Sequence, residues 1–253
     1  MLPNRVNILG INVSAIDMAQ AIAMVNGWIA TREKSYVCVT PAHAVMDAYR
    51  DPQLRRVFNA SGMTTPDGMA IVWLLKLRGY RSVTRVYGPD LMLGVCRDGV
   101  ARGYRHFLYG GGEGVANALG TELRARLDGL RIVGRYTPPF RDLTDAEDRM
   151  VLETINATSP DVVWVGLSSP KQERWMAAHL GKVQAPVMIG VGAAFDFLSG
   201  RMRQAPLWMQ RGGLEWLFRL MSEPKRLWPR YRQYPAFVFL AMLQLLGLRR
   251  FDG

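Results

Sequence analysis

The feature that most constrains the fold of this chain is an alternation of short apolar runs with amphipathic segments over its first 200 residues. The short runs predict β-strands at Val6–Ile11, Tyr36–Thr40, Met63–Pro66, Arg105–Tyr109, Arg131–Tyr136, Val162–Gly166 and Pro186–Val191. Helical spacing of apolar residues predicts helices at Asp17–Ala30, Ala44–Ala60 (interrupted near Asp51-Pro52), Met69–Leu77, Gly114–Leu127, Asp145–Thr158 and Gln172–Leu180. Continuous apolar strands that alternate with helices are typical of α/β proteins, in which a parallel sheet is covered on both faces.

The character of the sequence changes after Gly200. Arginine and tryptophan interleave from Arg203 to Arg230, and no strand-like run follows. The last 53 residues carry ten Lys and Arg against three Asp and Glu, so most of the net charge of +11 lies there. We therefore predict an α/β domain over residues 1–200 and a basic, aromatic-rich helical appendage over residues 201–253, called here the C-terminal segment.

The positive charge implies an anionic partner, which can be nucleic acid, an acidic membrane face or a phosphorylated substrate. The C-terminal segment allows three interpretations: a surface for single-stranded nucleic acid, a membrane-surface segment, or a helical hairpin that closes the core. The apolar run Ala236–Leu246 favours the second and third, so we expect no nucleic-acid partner. The longest uncharged stretch, Gln233–Leu248, has sixteen residues, fewer than the about 20 that a spanning helix needs.

Composition excludes several other classes of protein. With 49% hydrophobic and 21% charged residues, the chain is neither intrinsically disordered nor collagen-like. The two cysteines, Cys38 and Cys96, lie in apolar surroundings, which predicts reduced and buried thiols. Three scattered histidines, His43, His106 and His179, and the absence of a C-x-x-C motif argue against a zinc site. We therefore expect no structural zinc site, and we expect no cofactor.

Polar residues and glycines follow several of the predicted strands. In an open parallel sheet, ligands bind at the carboxyl ends of the strands. The segments at those ends are Thr40–His43, Thr65–Gly68, Gly110–Gly112, Gly166–Glu173 and Gly192–Asp196. Their common position at strand ends predicts a ligand site along this edge.

Taken one at a time, these segments leave alternatives open. Asp67, in a Pro-Asp-Gly turn between a strand and a helix, can be a general base, a turn residue or a helix cap. The glycines Gly110–Gly112 can cradle a phosphate or form a tight turn, because the G-x-G-x-x-G spacing is incomplete. Lys171 can meet a phosphate and Gln172 a sugar hydroxyl, or the segment is a capped helix start with Glu173 in the first turn.

An ordered set of motifs covers nearly the whole chain. Its members are Thr40-Pro41, Thr65–Gly68, Arg85–Asp90, Gly110-Gly111, Val165–Leu167 running into Pro170–Glu173, Gly190–Gly192, Phe195-Asp196, Gly200-Arg201, Arg203, Ala205-Pro206, Trp208-Met209, Gly213–Trp216, Arg219, Glu223-Pro224 and Arg226-Leu227. In order and spacing, the chain resembles the WecG/TagA/CpsF family of bacterial glycosyltransferases.

The resemblance implies a Rossmann-like sheet and an inverting, metal-independent hexosyltransferase. Such an enzyme moves a sugar from a UDP-sugar to a saccharide on undecaprenyl diphosphate, as a peripheral protein at the cytoplasmic face of the inner membrane. The products of the family are exopolysaccharides, capsules and teichoic-acid-type polymers. The alternative from another class is a non-catalytic, membrane-associated protein that binds nucleotide-sugars or assists polysaccharide assembly. A homo-oligomer is compatible with both.

Site residues carry over by position. Asp67 matches the general base of the family. Thr40, Arg85 and Gln172 match positions that line the substrate pocket of the family. The other predicted substrate-binding residues come from the strand-end segments and are Gly110, Gly111, Lys171, Glu173 and Asp196. The arginines expected to meet the diphosphate or the lipid acceptor are Arg203, Arg211, Arg219, Arg226 and Arg230.

Two positions depart from the family pattern. Ala42 stands where many relatives have Asn, and Pro229 stands where many have Arg, with Arg230 next to it. The Asn is a candidate sugar contact, so the donor stays open between glucose and an N-acetylmannosamine-type sugar.

Overall fold

The computed structural model describes residues 3–252, and its centre is a six-stranded sheet. The strands are β1 (Arg5–Ile8), β2 (Ile11–Ser14), β3 (Ser35–Thr40), β4 (Met63–Pro66), β5 (Arg105–Gly110), β6 (Arg131–Tyr136), β7 (Val162–Gly166) and β8 (Val187–Gly190). The sheet has the order β4-β3-β8-β7-β5-β6, and the pairs β3–β8, β8–β7, β7–β5 and β5–β6 are parallel. The predicted α/β fold with a Rossmann-like parallel sheet flanked by helices is confirmed.

Thirteen helices accompany these strands among residues 3–252. They are α1 (Met18–Thr31), α2 (Ala42–Arg50), α3 (Pro52–Ala60), α4 (Met69–Leu77), α5 (Gly88–Arg102), α6 (Val115–Arg126), α7 (Asp145–Ala157), α8 (Lys171–His179), α9 (Ala194–Leu198), α10 (Leu207–Arg211), α11 (Glu215–Ser222), α12 (Pro224–Tyr231) and α13 (Tyr234–Leu245). None of these helices is long and apolar enough to cross a membrane.

The described chain divides into two compact units. Unit 1 contains residues 3–18, 39–87 and 204–252, and unit 2 contains residues 19–38 and 88–203. The boundary predicted near Gly200 lies close to the junction of the units at residues 203 and 204. A separate domain made of residues 201–253 stays a prediction.

Unit 2 is built around the parallel strands β8, β7, β5 and β6. Residues Val162–Val165 of β7 are fully buried, because β7 lies between β5 and β8 and is covered on both faces. Continuous burial explains why this strand is apolar at every position rather than at alternate ones. Helix α7 begins with a capping box, in which the Thr144 side chain and the Glu147 side chain satisfy each other's backbone amides.

Unit 1 joins both ends of the chain to the segment 39–87. Its antiparallel pair β1–β2 holds helix α13 through the amide of Gln244, which donates to the side-chain oxygen of Asn7 at 2.9 Å. Gln233, just before α13, accepts from Arg50 at 2.6 Å and donates to Asp47 at 3.3 Å. These side-chain bonds fasten α13 to the N-terminal hairpin and to α2.

Two predictions of secondary structure need correction. The strand predicted at Val6–Ile11 is a hairpin of two strands, because the chain turns at Leu9 and Gly10, which have φ angles of 51° and 92°. Helix α5 was not predicted, since its glycines disguise the helical pattern. Gly94 packs closely against Ile22, since a Cβ at Gly94 would lie 2.6 Å from the end of the Ile22 side chain.

Other predictions are confirmed. The helix predicted over Ala44–Ala60 is interrupted as α2 and α3, where Asp51 caps α3 and Pro52 begins it. Within residues 3–252, Cys38 and Cys96 are buried and form no disulfide. Four helices and no strand occupy residues 204–252, as the change of composition after Gly200 indicates.

Candidate active site

Asp67 lies directly after β4, beside the end of β3. Its backbone amide donates to the carbonyl of Thr40 at 3.4 Å, and Thr40 itself is fully buried. Two of the predicted site residues therefore meet at the carboxyl ends of two strands, where a parallel sheet offers its ligand site. The turn is made by Asp67-Gly68, and Gly68 is the N-cap of α4.

Arg85 holds this turn in place. Its Nε donates to the backbone carbonyl of Asp67, and its Nη2 lies 3.6 Å from the Asp67 carboxylate. The same Nη2 lies 2.5 Å from the carboxylate of Glu215 in α11. Tyr87 completes the group, because its hydroxyl donates to the other oxygen of Glu215 at 2.9 Å and its ring lies 3.9 Å from the Arg85 guanidinium.

The four side chains of this group, Asp67, Arg85, Tyr87 and Glu215, are called here the carboxylate cluster. Burial and the negative charges of Glu215 and Asp67 raise the pKa of the Tyr87 hydroxyl, so it stays a donor. Burial acts to lower the pKa of Arg85, but the two carboxylates outweigh it and raise the pKa above its ordinary value. The guanidinium is therefore a permanent cation between two acids.

Aromatic and basic residues of helices α11, α12 and α13 form a second layer next to the carboxylate cluster. The rings of Tyr231 and Tyr234 lie 5.0 Å apart, and Trp216 packs against both at 6.1 and 5.7 Å. Burial acts to lower the pKa of Arg219, but Tyr231, Glu215, Tyr87 and Asp67 together raise it. Arg219, predicted to face a diphosphate, is thus within electrostatic reach of the candidate base.

His43 is buried at the start of α2, edge-on to Tyr231 at 6.3 Å between ring centroids. Burial, with the charges of Arg230 and Arg219, lowers the pKa of this imidazole to about 3. Its Nδ1 has no hydrogen-bond partner within the described part of the chain. His43 is therefore neutral at physiological pH, and its Nδ1 is available for a hydrogen bond with a ligand.

The remaining predicted arginines differ in exposure. Arg230 is half-buried and contributes to the field at His43, whereas Arg226 is exposed and pairs with Glu223. Arg203 and Arg211 are also exposed. Of the five, Arg219 and Arg230 adjoin the aromatic layer, and the other three are solvent-facing.

In unit 2, Gln172 and Glu173 lie buried at the start of α8. The amide nitrogen of Gln172 donates to Glu173 at 3.0 Å, and its oxygen Oε1 finds no hydrogen-bond partner among residues 3–252. Gly190 and Gly192 leave room for this amide at the end of β8, because a Cβ at either position would lie 3.1 to 3.5 Å from it. The orphaned oxygen gives the predicted sugar contact a free acceptor.

Packing alone accounts for Gly110 and Gly111. Gly110 faces Gly166 across β5–β7, where a Cβ would lie 2.6 Å from the backbone of Gly166. Gly111 has a φ of 76° and leaves no room for a side chain against Val115. The tight-turn interpretation explains both glycines, and a role in substrate binding stays a prediction.

Lys171 and Asp196, the other predicted residues of unit 2, have partners of their own. Lys171 is exposed and lies 3.3 Å from Asp142. Asp196 is in α9, where its backbone carbonyl accepts from the amide of Met202 at 3.0 Å and from the Ser199 hydroxyl at 3.1 Å. The roles of Lys171 and Asp196 in substrate binding stay predictions.

Sequence reasoning assigned no role of their own to Tyr87 and Glu215, which appeared only within motifs, or to His43, which appeared only within the strand-end segment Thr40–His43. Glu215 was visible only as the acid of a Gly-Leu-Glu-Trp run within a basic segment. That isolated acid in a segment of positive charge was the available signal. Its partners Arg85 and Tyr87 lie 130 and 128 positions away in the chain.

The C-terminal helices expose an apolar surface. A groove of about 640 Å³ between α11 and α12 is lined by Leu220, Met221, Pro224, Lys225, Trp228 and Pro229. Trp228 and Met221 are 59% and 65% exposed. In residues 3–252 no group of three or more His, Cys, Asp or Glu residues has the arrangement of a metal site.

Comparisons with known proteins agree over almost the full length. The model of the glycosyl transferase WecG/TagA/CpsF family matches residues 6–251. A protein of Bacillus subtilis is 30% identical over 198 residues, 77% of this chain and 74% of the relative. One of Bacillus spizizenii is 29% identical over 76% of this chain and 72% of the relative. One of Staphylococcus aureus is 23% identical over 93% of this chain and 91% of the relative. All three are named N-acetylglucosaminyldiphosphoundecaprenol N-acetyl-beta-D-mannosaminyltransferase.

Proposed function

Because the chain belongs to the WecG/TagA/CpsF family of glycosyl transferases, we propose that it transfers a sugar from a UDP-sugar to a saccharide on undecaprenyl diphosphate. The transfer inverts the anomeric centre and needs no metal ion. It takes place at the cytoplasmic face of the inner membrane and serves the assembly of a surface polysaccharide. Asp67 is the general base, and the carboxylate cluster is the centre of the active site.

The observation that carries this proposal is the setting of Asp67. Its carboxylate follows a strand of a parallel sheet, beside Thr40, and its backbone is fixed by Arg85. A base must be held rigidly to take a proton from an incoming hydroxyl. The two contacts to the backbone of this turn provide that rigidity and leave the carboxylate only 16% exposed.

Inverting transfer is a single displacement at the anomeric carbon. The acceptor hydroxyl attacks as the bond to UDP breaks, its proton passes to the Asp67 carboxylate, and UDP leaves with the bonding electrons. Negative charge develops on the diphosphate, and cations or hydrogen-bond donors must stabilise it. Arg219 and Arg230 are the half-buried cations of unit 1 suited to this task, and exposed Arg203, Arg211 and Arg226 suit the lipid diphosphate.

For the donor, we propose an N-acetylmannosamine-type sugar, and for the acceptor a lipid-linked N-acetylglucosamine. The printed names of the three relatives support this pair. Glucose is a second candidate, because the methyl group of Ala42 cannot make the hydrogen bonds of the Asn that the resemblance implies at this position. Gln172, with its free amide oxygen, is the residue proposed to meet a sugar hydroxyl.

Membrane association is proposed for the C-terminal helices. Exposed apolar side chains next to arginines are the pattern of segments that lie in an anionic membrane interface. The groove at Met221 and Trp228, with Lys225 at its edge, has this composition. It brings the protein to the surface where its acceptor resides.

The test is UDP release from a panel of UDP-sugars with short-chain lipid-diphosphate N-acetylglucosamine or glucose as acceptor. The protein is assayed on anionic liposomes with EDTA. We expect release that depends on both the acceptor and UDP-N-acetylmannosamine. UDP release with UDP-glucose alone would identify glucose as the donor sugar and leave the proposed type of reaction unchanged.

Loss of activity in EDTA, restored by a divalent cation, would contradict metal independence. Nucleotide-sugar binding without turnover, by folded protein on liposomes, would favour the non-catalytic alternative. Measurement of the anomeric configuration of the product by NMR decides inversion.

A further inference from the structure

Glu215 and Asp67 share one cation. The Arg85 atom Nη2 lies 2.5 Å from Glu215 and 3.6 Å from Asp67, so Glu215 has the closer pairing. The Nε of Arg85 meanwhile donates to the backbone carbonyl of Asp67. The Arg85 guanidinium therefore binds the backbone of the Asp67 turn, while its shortest contact with a carboxylate is the one to Glu215.

Burial makes this arrangement matter. The side chains of Asp67, Arg85 and Glu215 are 16%, 17% and 11% exposed, so water screens their charges only in part. A cation next to a carboxylate favours its ionised form and weakens it as a base, and a second negative charge nearby does the opposite. Glu215 thus makes Asp67 a stronger base in two ways. It holds the Arg85 guanidinium closer to itself than to Asp67, and it adds a negative charge nearby.

We propose that Glu215 is a positioning residue for the transfer reaction: it draws the Arg85 guanidinium off the Asp67 carboxylate and so keeps Asp67 a strong enough base. This inference rests on the proposed function, in which Asp67 takes the proton of the acceptor. Because Glu215 begins α11, the basicity of Asp67 then depends on the C-terminal helices being in place.

Tyr87 supports the same interpretation. Its hydroxyl donates to Glu215 Oε1 at 2.9 Å, while Arg85 is bound to Oε2. Both oxygens of Glu215 are occupied by donors that belong to the segment following Asp67. A side chain held at both oxygens has one orientation, which is what a residue that sets the position of another group requires.

Several other groups of unit 1 act on Asp67 electrostatically and bear on any pH dependence. They come from the loop before α5 and from α11, α12 and α13. These groups are Arg85, Tyr87, Glu215, Arg219, Tyr231 and Tyr234. Only a change at Glu215 removes the charge that competes with Asp67 for Arg85.

The test is Glu215→Gln, because glutamine can keep one bond to Arg85 and one to Tyr87 while losing the charge. Without the negative charge, the ionised form of Asp67 becomes more favourable. We expect the acidic limb of the kcat/KM profile to move down by about one pH unit. A weaker base also lowers kcat by about three- to tenfold, with KM for the donor nearly unchanged.

The matched control is Glu122→Gln. Glu122 is a half-exposed acid of α6 that pairs with Arg126 at 3.6 Å, so its removal deletes an acid elsewhere in the protein. We expect its profile to overlay that of the unchanged protein. Tyr87→Phe, which removes one donor to Glu215 and keeps every charge of the cluster, is expected to move the limb less and to lower kcat less than Glu215→Gln.

A second measurement does not depend on turnover. The side-chain carboxyl of Asp67 is followed by ¹³C NMR during a pH titration and assigned with Asp67→Asn. We expect the midpoint in Glu215→Gln to be lower by about one pH unit. If the unchanged protein transfers no sugar, the proposed function fails, and this titration still decides whether Glu215 controls Asp67.

The proposal is overturned if the Asp67 midpoint is the same with and without the Glu215 charge. It is also overturned if Glu215→Gln lowers kcat while the pH profile stays in place, because that pattern belongs to a structural role. If Glu215→Gln does not fold, Tyr87→Phe is titrated instead, and an unchanged midpoint there counts against the proposal.

Discussion

Unit 1 and unit 2 distribute polar and apolar side chains differently. In unit 2, strands β5, β7 and β8 bury Phe107, Trp164 and Ile189 completely. In unit 1, buried or half-buried positions hold Arg85 and Glu215. Among residues 3–252, thirteen of the sixteen large apolar side chains that are exposed belong to unit 1.

The difference indicates a division of labour. Burial of apolar area is the main source of stability, and unit 2 uses it along β5, β7 and β8, where His106 of β5 is a buried polar side chain. Buried ion pairs add little to stability, since loss of hydration offsets their attraction. What distinguishes unit 1 is its exposed apolar side chains, which suit the membrane association proposed above. The contrast can be tested at single residues.

The largest effect is expected from Asp67→Asn in unit 1. Because Asp67 is the proposed general base, we expect its removal to lower kcat of sugar transfer by about 100- to 10,000-fold, while binding of the UDP-sugar persists. Turnover is measured by UDP release and binding by calorimetry. The matched control is Asp51→Asn, because asparagine caps α3 as well as aspartate does, and it keeps activity within about twofold. Full activity in Asp67→Asn would break the assignment of chemistry to unit 1.

Phe107→Ala tests the apolar interior of unit 2. Phe107 is fully buried on β5, and its ring fills the space beside Gly134, where a Cβ would lie 2.5 Å away. The cavity lowers the free energy of unfolding by about 3–5 kcal/mol, measured by urea denaturation followed by circular dichroism. A loss below about 1 kcal/mol would contradict a tightly packed sheet core.

Each unit buries a histidine whose pKa is lowered by burial, and the two histidines differ in the hydrogen bond that the imidazole makes. The folded protein binds a proton at His43 only near pH 3, whereas the unfolded chain does so near pH 6.5. His43 therefore lowers stability as the pH falls below about 6.5, by about 1.4 kcal/mol per pH unit until its folded pKa is reached.

We expect His43→Phe to remove that loss, because phenylalanine keeps the ring contact with Tyr231 and cannot be protonated. Its stability at pH 7 stays within about 1 kcal/mol of the unchanged protein. His106→Phe in unit 2 behaves differently, because it leaves Trp164 Nε1 without the acceptor it has at 3.2 Å. That change costs about 1–3 kcal/mol at pH 7. Denaturation curves at pH 7 and pH 5 compare the two variants.

The smallest effect concerns the surface. Met221→Ser with Trp228→Ser removes two exposed side chains of the groove in unit 1, and we expect roughly tenfold weaker binding to anionic vesicles. Phe140→Ser in unit 2 removes a fully exposed aromatic side chain and leaves vesicle binding unchanged. If both variants lost vesicle binding equally in a sedimentation assay, the groove in unit 1 would not be the preferred membrane-binding surface.

The local pattern of the sequence was sufficient for much of the fold. Apolar runs such as Val162–Gly166 and the break at Asp51-Pro52 correspond to β7 and to the junction of α2 and α3. Strand ends also led to Asp67, since the carboxyl edge of a parallel sheet is the usual place of a ligand. The pattern failed at Leu9-Gly10, where a turn divides an apolar run, and at α5, whose glycines serve packing against Ile22.

The sequence by itself determined the alternation of strands and helices, the position of the candidate base and the basic, apolar character of the C-terminal helices. These properties depend on periodicity and composition, which are local. Only the tertiary structure joined Glu215 to Arg85 and Tyr87, and Gln244 to Asn7 across 237 positions of the chain. A side chain's partner depends on how distant segments pack, and no local pattern contains that information. The surroundings of Asp67 therefore became visible only when the chain was folded.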